Sequence, residues 1–201
     1  MKTRIFNLLL PLLIVSVYYA MILATAQAQA PPPPPPPPPA KDYFPDKWDE
    51  YTSQDGKFRI RFPKEPREDV TPSGRFEQHS LEYKGLLTYR VSYVDYKTPI
   101  DDPQKIDDLL QGLKTAALAP LKEKGLVVKA ERRIAVDGHQ GIFLHLEVQD
   151  KEVVRVLWVV ADTRLYTITA LSRKGRPQEL EGKDDFEKVA MGFINSFHLS
   201  P

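Results

Sequence analysis

Apolar positions along the chain change period twice, and those changes mark out the elements. From Lys57 to Phe62 they alternate, with Phe58, Ile60 and Phe62 on one face of a predicted strand that Pro63 stops. Two longer alternating runs, Phe76 to Tyr83 and Leu86 to Tyr96, flank Lys84-Gly85 and predict a hairpin. In the second run Leu87, Tyr89, Val91 and Tyr93 share a face, with Arg90 and Ser92 opposite. Trp48 and Tyr51 lie in a short entry segment ahead of the turn signal Ser53-Gln54-Asp55-Gly56.

The period then becomes helical. Ile106, Leu109, Leu110, Leu113 and Ala117 recur at helical spacing. Asp102 is placed to cap this helix and Pro103 suits its first position, while Asp107 and Asp108 suit the positive end of the dipole. Pro120 is expected to kink or end it, and Gly125 to end any continuation. Four strands are predicted next: Val127 to Val136, Ile142 to Gln149, Val153 to Val160 and Arg164 to Leu171. The short links between them, at Asp137-Gly138, Asp150-Lys151 and Asp162-Thr163, argue for an antiparallel meander. Nearly every residue from Val153 to Val160 is apolar, which predicts a central strand covered on both faces. A last helix carries the stripe Phe186, Val189, Ala190, Phe193, Ile194 and Phe197, with Asp184 and Glu187 at capping-box spacing. The predicted order is β-β-β-α-β-β-β-β-α, an α+β domain whose sheet has helices on both faces.

Ahead of this domain the patterning is of another kind. Lys2 and Arg4 precede a mostly apolar stretch from Ile5 to Leu23, then Ala24-Thr25-Ala26-Gln27-Ala28-Gln29-Ala30. A positive start, an apolar core and small residues at overlapping A-x-A sites are the parts of a secretory signal. Cleavage after Ala26 or Ala28 is favoured, because cleavage after Ala30 would put Pro31 next to the scissile bond. The alternative is an uncleaved anchor, since the stretch approaches the roughly 20 residues that span a bilayer, although Asn7, Pro11, Ser16, Tyr18 and Tyr19 dilute it. An unbroken proline run from Pro31 to Pro39 follows. As polyproline II it would extend on the order of 28 Å at about 3.1 Å per residue. The chain therefore divides into a signal or anchor at 1–26, a proline-rich linker at 27–46 and one domain at 47–201.

Composition narrows the function classes. There is no cysteine, which excludes a lipidated cysteine, disulfides and thiol catalysis. Without Lys2 and Arg4 the chain holds 26 basic against 27 acidic residues, interspersed along its length. Neither a nucleic-acid partner nor an anionic membrane surface is indicated; membrane contact is expected only if the N-terminal segment is kept as an anchor.

Certain residues carry a resemblance. Trp48 and Tyr51, then Asp55-Gly56-Lys57-Phe58 leading to Phe62-Pro63, are followed by Tyr93 to Tyr96 and the long middle helix. Asp137-Gly138 through Gly141, Arg164-Leu165-Tyr166 and a final helix running into Phe193 to Leu199 complete the set. In this the chain resembles the PsbP family and its exported bacterial PsbP-like relatives. The resemblance implies an α/β/α sandwich around a central antiparallel sheet, and extracytoplasmic proteins that mostly bind or assist other proteins. Photosynthetic members assist the oxygen-evolving complex; no residues here match that role, and the proline run departs from the pattern.

Candidate chemistry is sparse. Of the histidines His79, His139, His145 and His198, only His145 has a partner two residues away on a strand, Glu147, and could share a cation with it. A third ligand is missing from the local sequence, and an exposed polar face opposite Leu144, Leu146 and Val148 explains the pair as well. His139 falls in a turn, with no G-x-S-x-G context for any serine. Tyr83, Tyr89, Tyr93 and Tyr96 could form an aromatic platform, yet alternation puts Tyr89 and Tyr93 on the apolar side and leaves Tyr96 as the exposed member. The charge-rich segment Arg173 to Asp185, with Gly175, Pro177 and Gly182, reads as a loop suited to partner contact. No catalytic residue, cofactor or metal is predicted. The expected function is an exported, non-catalytic binding or accessory domain with a protein or envelope component as partner, located outside the cytoplasm, free or membrane-anchored. The alternative is a small-molecule or metal-binding enzyme-like domain. Intact mass of the mature protein is expected to show a chain beginning at Gln27 or Gln29; a species retaining Lys2 would establish the anchored form instead.

Overall fold

The computed structural model describes residues 48–73, 76–84, 87–148, 152–173 and 183–200. The signal segment, the proline-rich linker, the reversals at Gly85 and at Asp150-Lys151, and residues 174–182 of the charged loop lie outside the described residues. So do the side chains of Tyr83, Asp184 and Phe186.

Among the described residues, two sheets and two helices build the domain. Strands β1 (Asp49–Ser53), β2 (Phe58–Phe62), β3 (Arg67–Ser73), β4 (Phe76–Lys84) and β5 (Thr88–Asp95) come first. Helix α1 (Pro103–Lys122) follows, then β6 (Leu126–Val136), β7 (His139–Val148), β8 (Glu152–Ala161) and β9 (Arg164–Arg173). Helix α2 (Lys183–Asn195) and the short β10 (His198–Leu199) close the chain. Seven strands form an antiparallel sheet in the order β3-β4-β5-β9-β8-β7-β6, and a small sheet has the order β1-β2-β10. The α+β class and the antiparallel meander β6 to β9 agree with the sequence pattern.

The predicted strand order needs correction: β1, β3 and β10 were not expected. Their sequences explain why. Arg67 to Thr71 alternates no apolar face, and β1 holds one aromatic among polar residues. These strands exist through the partners they pair with, β4 for β3 and β2 for β1 and β10, rather than through a periodic apolar face of their own. Helix α1 departs in a second way. Asp102 caps it as predicted, accepting from the amides of Gln104 at 2.9 Å and Lys105 at 3.4 Å, and Pro103 opens it. It does not end at Pro120 but runs on to Lys122, with Leu118 and Leu121 on either side buried in the core. That burial offsets one missing amide donor. Asp107 and Asp108 sit beyond the first turn; Asp107 pairs with Arg133, and Asp108 accepts from Gln104.

Strand β8 divides the core. Leu157, Val159 and Ala161 face one way, into an aromatic-rich cluster with Phe58, Phe62, Tyr89, Phe193 and Phe197. Val156, Trp158 and Val160 face the other way, against Ile106, Leu110, Leu113 and Ala117 of α1. The sheet is thus covered on both sides, by α2 and the small sheet on one and by α1 on the other. Phe58, Ile60 and Phe62 are wholly buried at the first face, each contributing about 1.5–3 kcal/mol. The tight β6–β7 turn is built by Asp137 at φ 48° and Gly138 at φ 87°, the left-handed pair of a type I′ reversal. At Gly141 the reason for glycine is different: a Cβ there would lie 2.6 Å from the Trp158 carbonyl oxygen on β8. Gly141→Ala is expected to destabilise the domain by about 1–3 kcal/mol through overpacking, measured by urea unfolding; an unchanged midpoint would show that the strands can spread at no cost.

Candidate functional site

The His145–Glu147 pair lies where alternation placed it, on one face of β7, with Nε2 and Oε1 3.7 Å apart. The surroundings differ from the open polar face that sequence implied. His145 stands directly across from Arg155 on β8, on the side of the sheet that α2 covers. Arg155 is buried, with 4% of its side chain exposed, and its Nε and Nη2 both donate to Glu187 Oε2 on α2. Glu147 is also held by Lys129 of β6 at 3.4 Å. A charged row therefore runs Lys129–Glu147–His145–Arg155–Glu187 across β6, β7, β8 and α2. His145 Nε2 is shut from solvent and makes no hydrogen bond among the described residues. Burial, and then the charge of Arg155, hold the imidazole below its ordinary pKa. Among the described residues no group of three His, Cys, Asp or Glu converges in a way that could hold a metal ion. Nearly every residue of β8 is apolar in the sequence, and the lone Arg155 inside it is the signal that this row exists. Glu187, placed in a capping box by its spacing, bonds Arg155 instead.

The remaining candidates separate. His139 opens β7 rather than standing in the turn, and His198 lies 3.5 Å from Asp137, whose other oxygen accepts from the Leu199 amide at 2.8 Å. Tyr89 and Tyr93 are core residues, and Tyr89 meets Trp48 edge to face at 4.9 Å. Tyr96, expected on the surface, packs against the α1-side core, and burial pushes its phenol up to about 12. No tyrosine platform is assembled by these three.

Three of the motifs that carried the family resemblance meet one another. Arg164 grips Asp95 through Nε at 2.5 Å and Nη2 at 2.8 Å, and donates from Nη1 to the Asp55 carbonyl at 2.7 Å. Its guanidinium lies 4.3 Å from the centre of the Tyr93 ring, and His79 stacks in parallel on the same tyrosine at 4.7 Å. Tyr166 donates from its hydroxyl to the Gly56 carbonyl at 2.8 Å. Gly56 has no room for a side chain, since a Cβ would fall 2.4 Å from the Phe58 ring. The Asp55-Gly56 turn is thereby fastened to β5 and β9. These residues hold the small sheet on the large one.

Among the described residues a polar face of the sheet is a further candidate for contact. On the α2 side, β4, β5 and β9 carry Leu81, Tyr89, Val91, Tyr93, Tyr166 and Ile168. On the α1 side the same strands carry Gln78, Ser80, Glu82, Arg90, Ser92, Thr167 and Thr169, of which Gln78, Ser80 and Ser92 are buried, beside the buried Val94 and Leu165. Ser80, Ser92 and Thr167 stand in one register row, and Glu82, Arg90 and Thr169 in the next. The main contacts of α1 are with β6 and β7, away from this half of the sheet. Arg90 Nη2 reaches Ser80 Oγ at 3.4 Å, so the row is cross-braced. The sheet edges are less suited to docking. Edge strand β6 exposes Lys129, Glu131, Arg132 and Arg133 and is interrupted by a register shift at Lys129, while β3 holds Arg67, Glu68, Asp69 and a proline.

No family model matches the chain, and no curated protein is significantly similar to it. Among solved structures it is similar to the solution structure of cyanobacterial PsbP (CyanoP) from Synechocystis sp. PCC 6803, at 12% identity and a TM-score of 0.51, over 75% of this chain and 91% of that one. The fold is PsbP-like. The crystal structure of PA94, a protein of unknown function from Pseudomonas aeruginosa, aligns over 67% of this chain and 88% of that one at 14% identity. Its TM-score of 0.37 is too low to carry an argument. Both likenesses concern fold, and neither assigns a site. For the charged row, Glu187→Gln is expected to cost about 1.5–3 kcal/mol, because a hydrogen-bonded charge partner of a buried guanidinium is removed. Arg155→Met should cost less than Glu187→Gln, since it removes the charge that needs compensation. Thermal unfolding of the two variants checks the order, and the reverse order would show the pair to be a net stabiliser.

Proposed function

We propose that the chain is an exported, non-catalytic accessory domain that binds a protein of the cell envelope, and that contact is made through the polar half-face over β4, β5 and β9. The observation that carries this reading is the one-sided use of those strands. Their α2-side residues are buried in the aromatic core, while their α1-side residues, apart from the buried Val94 and Leu165, are hydroxyls, amides and charges, with Glu82, Arg90, Thr167 and Thr169 half-buried and Gln78, Ser80 and Ser92 buried beside them. Hydrogen-bonding groups on paired strands suit a polar protein surface, because the groups are held in place before contact and little ordering entropy is lost on binding. Export is supported by the order of charge, apolar stretch and A-x-A sites in the first thirty residues. The polyproline run would hold the domain away from the N-terminal segment. Membership among the exported bacterial PsbP-like proteins is part of the same proposal, supported by the fold and the quoted motif residues.

Capture from envelope extract with the full mature chain is expected to return a reproducible protein that is lost on Arg90→Glu and on Thr169→Arg, and kept on Val128→Lys at the β6 edge. Circular dichroism of each variant separates lost binding from lost fold. Equal capture by all variants would remove the half-face from the reading. Turnover in a hydrolase panel without any captured protein would overturn the accessory role altogether.

A further inference from the structure

The charged row on the α2 side of the sheet contains a group that partner binding leaves without a task. Arg155 is a polar tie between α2 and the sheet: around it α2 contributes Val189, Ala190, Phe193 and Ile194 to the aromatic-rich core. The tie ends on Glu187, with 48% of its side chain exposed, so the carboxylate is free to turn to water if the guanidinium loses its hold. His145 is placed to govern that hold. It is the cross-strand partner of Arg155, and the Cβ atoms of such pairs lie about 4.5–5.5 Å apart. The charged groups facing it are Arg155 from β8, Glu187 from α2, Glu147 from its own strand and Lys129 from β6.

A proton on His145 alters this arrangement at every contact. It sets a second cation beside a buried guanidinium, and like charges directly across strands repel. It also gives Nε2, which makes no hydrogen bond among the described residues, a reason to turn to Glu147 in competition with Lys129. The direction of the pH effect is fixed. Burial and the charge of Arg155 depress the imidazole in the folded chain, so the unfolded chain takes up the proton first. Stability is complete above the ordinary imidazole value of 6.5 and is lost as pH falls below it toward the folded value.

We propose that His145 is a proton-operated release for α2, in which charging of the imidazole on mild acidification weakens the Arg155–Glu187 tie and loosens the helix together with β10. The helix and the strand leave as a unit, because Phe197 and β10 follow α2 directly in the chain. The strands β5 and β9, fastened by Arg164 and Tyr166 away from this row, keep their order.

Hydrogen exchange on the full chain between pH 8 and pH 5, corrected for intrinsic exchange, tests the release. Peptides of α2 are expected to lose protection by up to about tenfold per pH unit below 6.5, while β5 and β9 peptides hold theirs. His145→Gln should match the unsubstituted protein at pH 8 and flatten the α2 profile below pH 6.5. Parallel profiles for the two proteins overturn the proposal. A second measurement does not depend on the variant folding. In an NMR titration of the unsubstituted protein, α2 amide shifts are expected to share one midpoint with the ring protons of His145. Amides of α2 that stay still through that midpoint overturn it equally.

Discussion

Strand β8 must be covered on both faces, and the architecture follows from that need. Leu157, Val159 and Ala161 on one side and Val156, Trp158 and Val160 on the other leave no face for water. A single helix covers one side of a sheet, so a strand of this kind requires a third layer. On one side α1 supplies it with Ile106, Leu110 and Leu113. On the other, α2 and the small sheet share the task, with Phe193 and Phe62 at the meeting point. The antiparallel order around β8 then follows from tight reversals such as Asp137-Gly138 and Asp162-Thr163, which leave consecutive strands nowhere to go but beside each other.

Within this frame Arg155 is the exception that gives the interface a direction. Apolar contacts between α2 and the sheet would tolerate sliding, because dispersion attraction has little angular preference. A forked donor aimed at one carboxylate oxygen sets the position of the helix along the strands. Arg164 has the same role at the opposite end of the meander, fixing the Asp55-Gly56 turn with two carboxylate bonds and one to a carbonyl. Each guanidinium registers one covering layer against the common sheet.

How much of this could be read from the residues depended on where the information resides. The meander was legible to within a few residues, since β6 to β9 carry their own apolar alternation and turn signals. The cap of α1 was legible for the same local reason. Strands β1, β3 and β10 were not, because Asp49–Ser53, Arg67–Ser73 and His198–Leu199 take strand form from a neighbour distant in sequence. At the charged row, spacing gave the shared face of His145 and Glu147 but not Arg155 across from them, because strand neighbours depend on register. The carbonyls of Asp55 and Gly56 that anchor Arg164 and Tyr166 carry no side-chain signature at all.

The small sheet joins the two ends of the domain. Strand β2 pairs with β1 just before it and with β10, so that Arg59 faces His198 and Phe58 faces Leu199, and the Ser200 amide donates to the Lys57 carbonyl at 2.9 Å. Closing so long a loop carries an entropic cost that local pairing does not. During synthesis the small sheet is therefore complete only once His198 to Ser200 have emerged. Without His198 and Leu199, β2 would lack a partner on its edge opposite β1.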